Sequence, residues 1–181
     1  MSFRELRAQI REDWRANGSD STRAGFRTLA VYRFGVWRMS VRSKVLRWPL
    51  SVLYRRGFVH CRNVYGIELP YTTSVGRRVV IEHQGGIVIH GNVTIGDDCI
   101  IRQNCTLGLR RVDRPGDVPT LGPRVNLGAG AVVLGAVTIG ADAAIGANAV
   151  VLCDVPAGAL ATGVPATVRL RGQPSLASEP R

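Results

Sequence analysis

At 181 residues, with 45% hydrophobic and 6% aromatic side chains, the chain can bury one sizeable core and carry a smaller appendage. No apolar run reaches membrane-spanning length, and the opening MSFRELRAQIREDWR is charged throughout and lacks the apolar centre of a secretory signal. The formal net charge of +11 is concentrated at one end: residues 1–65 hold 14 Arg/Lys against 4 Asp/Glu, whereas residues 66–181 hold 10 against 9.

Residues 1–65 read as a helical segment. Phe3, Leu6, Ile10 and Trp14 form one apolar stripe, after which NGSDST interrupts the chain and offers Ser19, Asp20, Ser21 or Thr22 as caps. A second helix is expected from about Arg23 to Met39 and a third from about Lys44 to Arg62, bending at or tolerating Pro49. All three tryptophans, Trp14, Trp37 and Trp48, fall here. Basic helices with tryptophans permit peripheral membrane contact, but the expectation preferred is a bundle whose basic face is solvated. No reader motif accompanies the charge, so no nucleic-acid partner is expected.

From Val75 an aliphatic residue returns every six positions: Val75, Ile81 and Ile87, then after a two-residue slip Ile89, Ile95, Ile101 and Leu107, and later Leu121, Leu127, Val133, Ile139, Ile145 and Val151. Four residues after most of these stands a small or β-branched side chain, such as Val93, Cys99, Cys105, Val125 or Ala131. A period of six suits neither a helix nor an ordinary strand and marks a repeat architecture. Three hexads make one triangular coil of short flat strands, with the recurring residue inward and small residues easing the corners. The domain is expected to span residues 66–172. From Leu107 to Leu121 is fourteen residues, one hexad plus eight, which predicts a loop over 109–120 thrown out from a corner. The tail, 173–181, is expected to be flexible. Cys61, Cys99, Cys105 and Cys153 have neither metal-site spacing nor secreted-domain density, so no metal or disulfide and a cytoplasmic location are expected.

His83 stands two positions after Ile81, outside the aliphatic column, and Glu68 lies fifteen residues earlier, close to one coil turn. A carboxylate behind an imidazole fixes its tautomer and stabilises the imidazolium that forms when the other nitrogen takes a proton. On spacing alone, ordinary surface residues are the simpler reading.

The motifs carry more. Gly66-Ile67-Glu68-Leu69-Pro70, Glu82-His83-Gln84-Gly85-Gly86-Ile87-Val88 and Thr106-Leu107-Gly108 resemble the catalytic stretch of serine acetyltransferases, and Tyr32 to Trp37, YRFGVW, is similar to a helical motif of that family with Val36 in place of its histidine. Gly163-Val164-Pro165-Ala166 matches the closing turn of the wider hexapeptide-repeat acyltransferases. The resemblance implies a left-handed parallel β-helix, mainly β, with a small helical segment and one inserted loop. It implies direct acetyl transfer from acetyl-CoA to a hydroxyl, with His83 as general base, Glu68 orienting it, and a backbone N–H near Gly108 as oxyanion donor. It places CoA in a groove between β-helices of a homotrimer, against Ala129, Gly130, Ala131, Ala147 and Asn148, with Arg169 and Arg171 as candidates for its phosphates. Two trimers can pair through the helices. The coil is expected to trimerise even without residues 1–65.

Departures concern the acceptor. The family's Arg-His-Pro in the inserted loop is here Asp117-Val118-Pro119, the aspartate before the histidine is Glu82, and the helical domain is shortened. Glu82, Arg110, Arg111, Asp113, Arg114 and Asp117 form the candidate acceptor site. Similar short proteins belong to polysaccharide biosynthesis, so a saccharide hydroxyl is the expected acceptor, with L-serine and a catalytically inactive scaffold as the alternatives.

Overall fold

The computed structural model describes residues 1–170; Arg171 and the tail 173–181 lie outside the described residues. Three helices precede the coil: α1 (Phe3–Ala16), α2 (Ala24–Arg38) and α3 (Lys44–Val64). Ser2 caps α1 by accepting the Glu5 N–H while the Glu5 carboxylate accepts the Ser2 N–H, and Ser43 accepts the Leu46 N–H at the start of α3. Pro49 sits early in α3 and the helix continues through it.

The coil follows in five turns. The first is β1 (Ile67–Glu68), β2 (Ser74–Val75) and β3 (Val80–Ile81); the second is β4 (Ile87–Ile89), β5 (Thr94–Ile95) and β6 (Ile100–Ile101). The third is β7 (Thr106–Gly108), β8 (Thr120–Leu121) and β9 (Asn126–Leu127); the fourth is β10 (Val132–Leu134), β11 (Thr138–Ile139) and β12 (Ala144–Ile145). The fifth holds β13 (Val150–Val151), a bridge at Val155 and β14 (Leu160–Thr162), onto which β15 (Thr167–Arg169) folds back antiparallel. Like strands of successive turns stack in parallel into three faces: β1-β4-β7-β10-β13, β2-β5-β8-β11 and β3-β6-β9-β12-β14. This is a parallel β-helix, as the period of six requires. The recurring aliphatic residues from Ile81 to Val151 are buried, and Val93, Cys99, Cys105, Val125, Ala131, Val137, Ala143 and Ala149 fill the corners of the same column.

The register dates each interruption of the beat. The first two turns are offset by twenty residues, as in Ile81 opposite Ile101; Val88 opposite Thr106 restores eighteen. Thr94 opposite Thr120 is twenty-six, the eight inserted residues of the loop, and Thr120 opposite Thr138 is eighteen again. The corners hold a surprise. Left-handed backbone is taken at one edge by Arg78, Asp98, Arg124 and Asp142, not by small residues. Stacked one above another, these form bidentate pairs, Arg78 with Asp98 and Arg124 with Asp142, so charge alternation stabilises the corner that their side chains would otherwise strain.

The helices close the open end of the column. Leu29 and Tyr32 of α2 join the aliphatic core, and Gly25 lets α2 approach β3 so closely that a Cβ there would meet the Ile81 backbone. The exposed edge of the first turn needs partners for its unpaired groups. Tyr32 Oη donates to Thr73 O (2.7 Å) and accepts from Val75 N–H (3.1 Å); Arg33 donates to Val75 O (2.9 Å) and Gly76 O (2.5 Å). Buried Asn17 donates to Val79 O and accepts from Ile81 N–H. Asp13, fully buried, holds the Arg33 guanidinium at 2.8 Å. The YRFGVW motif is therefore an end cap that covers the core and pairs the strand edge of the first turn. The apolar stripe of α1 is also less buried than its spacing predicts, since Leu6 alone is buried while Phe3 and Trp14 reach solvent.

Candidate active site

His83 stands on the one corner of its edge that is longer than those stacked above it. Eight positions separate Ile81 from Ile89, whereas six separate the residues opposite them, Ile101 and Leu107. The two extra residues push the corner Glu82–Gly86 outward, and backbone bonds fasten the bulge: Gly85 N–H to Tyr65 O (2.9 Å), Ile87 N–H to Gly66 O (2.9 Å) and Asn104 N–H to Gly85 O (2.8 Å). Gly85 and Gly86 have φ of 101° and 63°, and a Cβ on Gly86 would run into the Asn104 side chain. His83 is consequently exposed on a braced corner. Glu68 points outward from β1, in register with Val88, while its neighbour Ile67 is buried. Among the described residues neither His83 nor Glu68 has a side-chain hydrogen bond or ion pair, so the expected orienting contact is not formed within one chain.

Glu82 is already engaged. The register that sets Ile81 opposite Ile101 brings Arg102 over it, with Nε 2.6 Å from the carboxylate, and Arg102 Nη1 also donates to Asn126 Oδ1 (2.5 Å). Beside it in the chain, the buried Gln103 Oε1 has no hydrogen-bond partner among the described residues. Sequence reasoning missed both residues. Adding the twenty-residue offset to Glu82 and His83 would have found them.

Higher on the same edge lie the corners proposed for CoA. Gly86, Asn104, Gly130 and Asn148 form a column of left-handed residues, and Ala129, Ala147 and Asn148 present small side chains outward. Ala131 stands at the same corner, with its side chain fully buried in the column. Arg169 is exposed on β15; Arg171 lies outside the described residues.

The acceptor loop belongs to the next edge. It leaves β7 after Gly108 and returns at β8, so the whole β4/β7 face separates it from His83 of the same chain. Arg110, Arg111, Arg114 and Asp117 line a hollow of about 360 Å³ against Gly135 and Leu152. Arg111 pairs bidentately with Asp113, whose carboxyl it holds below its usual range, and Arg114 lies 3.8 Å from Asp117. Asn92 ties the loop down by donating to Pro115 O (3.2 Å). The six candidate acceptor residues thus fall into two groups: Glu82 beside His83, and the loop residues around the corner with Gly108. Among the described residues no cluster of three His, Cys, Asp or Glu could hold a metal ion.

Known proteins share this architecture. A family model described as bacterial transferase hexapeptide (six repeats) matches residues 119–153. The chain is 39% identical over 164 residues to the protein designated colanic acid biosynthesis acetyltransferase WcaB of Escherichia coli K12, covering 88% of this chain and 98% of that one. It is 47% identical over 105 residues to a serine acetyltransferase of Helicobacter pylori J99, covering 58% of this chain and 61% of the relative. A solved serine acetyltransferase from Vibrio cholerae superposes with a TM-score of 0.78 at 26% identity, over 94% of this chain and 68% of that one.

Proposed function

Because the chain belongs to the serine acetyltransferase-like hexapeptide-repeat acetyltransferases, with their left-handed parallel β-helix, we propose that it transfers acetyl from acetyl-CoA to a saccharide hydroxyl in the cytoplasm, as a trimer. The chain's acetyltransferase activity comes with the family; the acceptor, the catalytic roles and the assembly are our reading. His83 removes the hydroxyl proton as the oxygen attacks the thioester carbonyl, and Glu68, which makes no contact with the ring in the free chain, turns to the nitrogen left free when the substrates bind and stabilises the imidazolium. The small outward residues of the His83 edge, Gly130, Ala147 and Asn148 among them, fit the close approach of a thin pantetheine arm. A backbone N–H near Gly108 meets the developing oxyanion.

A trimer supplies what one chain lacks. His83 and the arginine-bearing loop occupy adjacent edges, so three-fold packing of prisms sets the His83 edge of one chain against the loop edge of the next, and each site draws on two chains.

The observation that carries the acceptor is the Glu82–Arg102 ion pair. An amino-acid acceptor presents an ammonium, and Glu82, the carboxylate that precedes His83 in the chain, is already neutralised by a guanidinium one turn above. A neutral polyol needs no such charge, and Asp117 in the loop accepts its hydroxyls without repelling a carboxylate. The second reading, L-serine, draws on Arg110, which lines the loop hollow and has no carboxylate partner among the described residues. Thiol release from acetyl-CoA, measured against serine and a panel of sugars and nucleotide sugars, tests the proposal. A serine kcat/KM above about 10⁴ M⁻¹s⁻¹, unmatched by any sugar, would overturn the saccharide reading.

A further inference from the structure

The helical layer carries a surface that neither the column nor the acetyl-transfer site uses. α3 turns Tyr54 and Cys61 inward, and its opposite side presents Val45, Trp48 and Val52 with Leu46 and Leu53 alongside. Val45, Leu46 and Trp48 are 81%, 64% and 71% exposed. They lie at the end of the layer where α1 begins, α2 ends and α3 begins, a junction held by Ser40 Oγ donating to Met1 O (3.0 Å) and by the Phe3 and Trp37 rings, 5.6 Å apart. Phe3 and Met39 add 59% and 45% exposed side chains there. Scattered exposed hydrophobes need no explanation, but five large ones gathered at one end of a helical layer mark a contact surface.

Charge decides what that surface meets. Residues 21–67 contain ten Lys/Arg and no Asp/Glu. Arg42, Lys44, Arg55 and Arg56 are exposed along α3 and its approach, and α1 adds an exposed row, Arg4, Arg7, Arg11 and Arg15. A second copy docked on α3 would set cation against cation. An anionic surface is complementary, and a tryptophan among aliphatic residues flanked by arginines suits the boundary between lipid headgroups and acyl chains. No helix among the described residues is long and apolar enough to cross a membrane, so the contact lies in the plane of the bilayer. We propose that this end of the helical layer docks on an anionic lipid bilayer, with Val45, Leu46 and Trp48 entering the headgroup boundary and the surrounding arginines and Lys44 on the lipid phosphates.

Cosedimentation of the full chain with vesicles tests this. Mixed phosphatidylglycerol/phosphatidylcholine vesicles should bind at least about tenfold better than pure phosphatidylcholine, with binding falling as salt rises. Trp48→Glu should lower binding by about tenfold or more while leaving thiol release with a soluble acceptor unchanged. The pair Arg42→Gln/Lys44→Gln should lower it about 30-fold. Equal binding to both vesicle types, or undiminished binding of Trp48→Glu, would overturn the proposal. So would light scattering in which Trp48→Glu splits a lipid-free assembly without altering vesicle binding, since the surface would then belong to a second copy.

Discussion

Arg33 shows how one residue can join two levels of the structure. Its guanidinium, almost fully buried, neutralises Asp13 and pairs the carbonyls of Val75 and Gly76 at the open edge of the coil. Arg33→Met leaves Asp13 buried and unpaired together with two strand carbonyls, which should cost about 3–5 kcal/mol, seen as a fall in Tm of roughly 10 °C in thermal unfolding. Asp13→Asn should cost less, because burial already pushes the Asp13 carboxyl above its ordinary value of 3.8 and Arg33 only partly opposes this. A raised folded value means that the group's contribution is complete at low pH and declines as pH rises through that value; Asp13→Asn should remove this part of the pH dependence of Tm. Thiols give a second test at this scale. Burial pushes Cys61 and Cys105 up and Cys99 to about 11, whereas Cys153 is exposed, so one thiol per chain should react with an alkylating reagent at neutral pH and the other three only after denaturation. None of the capping roles was legible in the sequence, because Asn17, Tyr32 and Arg33 bond to residues more than forty positions away.

Among elements, the strands were the most legible and the corners the least. A beat of six translates directly into inward side chains, which is why each recurring residue from Ile81 to Val151 is found in the column. The slip between Ile87 and Ile89 was visible as a broken count. Only the register shows that the extra residues lie in Glu82–Gly86 and lift His83 off the wall. Gly86 is the test of that corner. Gly86→Ala puts a side chain into Asn104 on a left-handed backbone, a strain of about 1–2 kcal/mol before the clash is counted. The column below is untouched, so the expected outcome is acetyl transfer lost by tenfold or more, of the order seen when a reacting group shifts by about an ångström, with the protein still folded and Tm lowered by roughly 5 °C. Full activity in Gly86→Ala would show that the bulge does not set the position of His83.

For the whole molecule, the decisive feature is that one prism carries its imidazole and its arginine loop on neighbouring edges. Nothing in the period of six reveals this, since edges become distinct only when strands are assigned to faces. If each site is built from two chains, chains lacking the imidazole and chains lacking the loop carboxylate should repair one another. His83→Ala and a loop variant, Asp117→Ala, are each expected to lose most activity as pure proteins. Loss of the general base alone accounts for about 10²–10⁴ in rate. Unfolded together in equal amounts and refolded, they form trimers of mixed composition. Every mixed trimer then has one edge where an intact His83 faces an intact loop, so random assembly should recover about a quarter of the wild-type sites. A site contained within one chain cannot be repaired in this way, because every chain in the mixture still carries a defect. Thiol release that stays at the level of the separate variants, in mixtures shown by light scattering to have reassembled, would place the whole site on one chain and would remove the structural argument for the trimer.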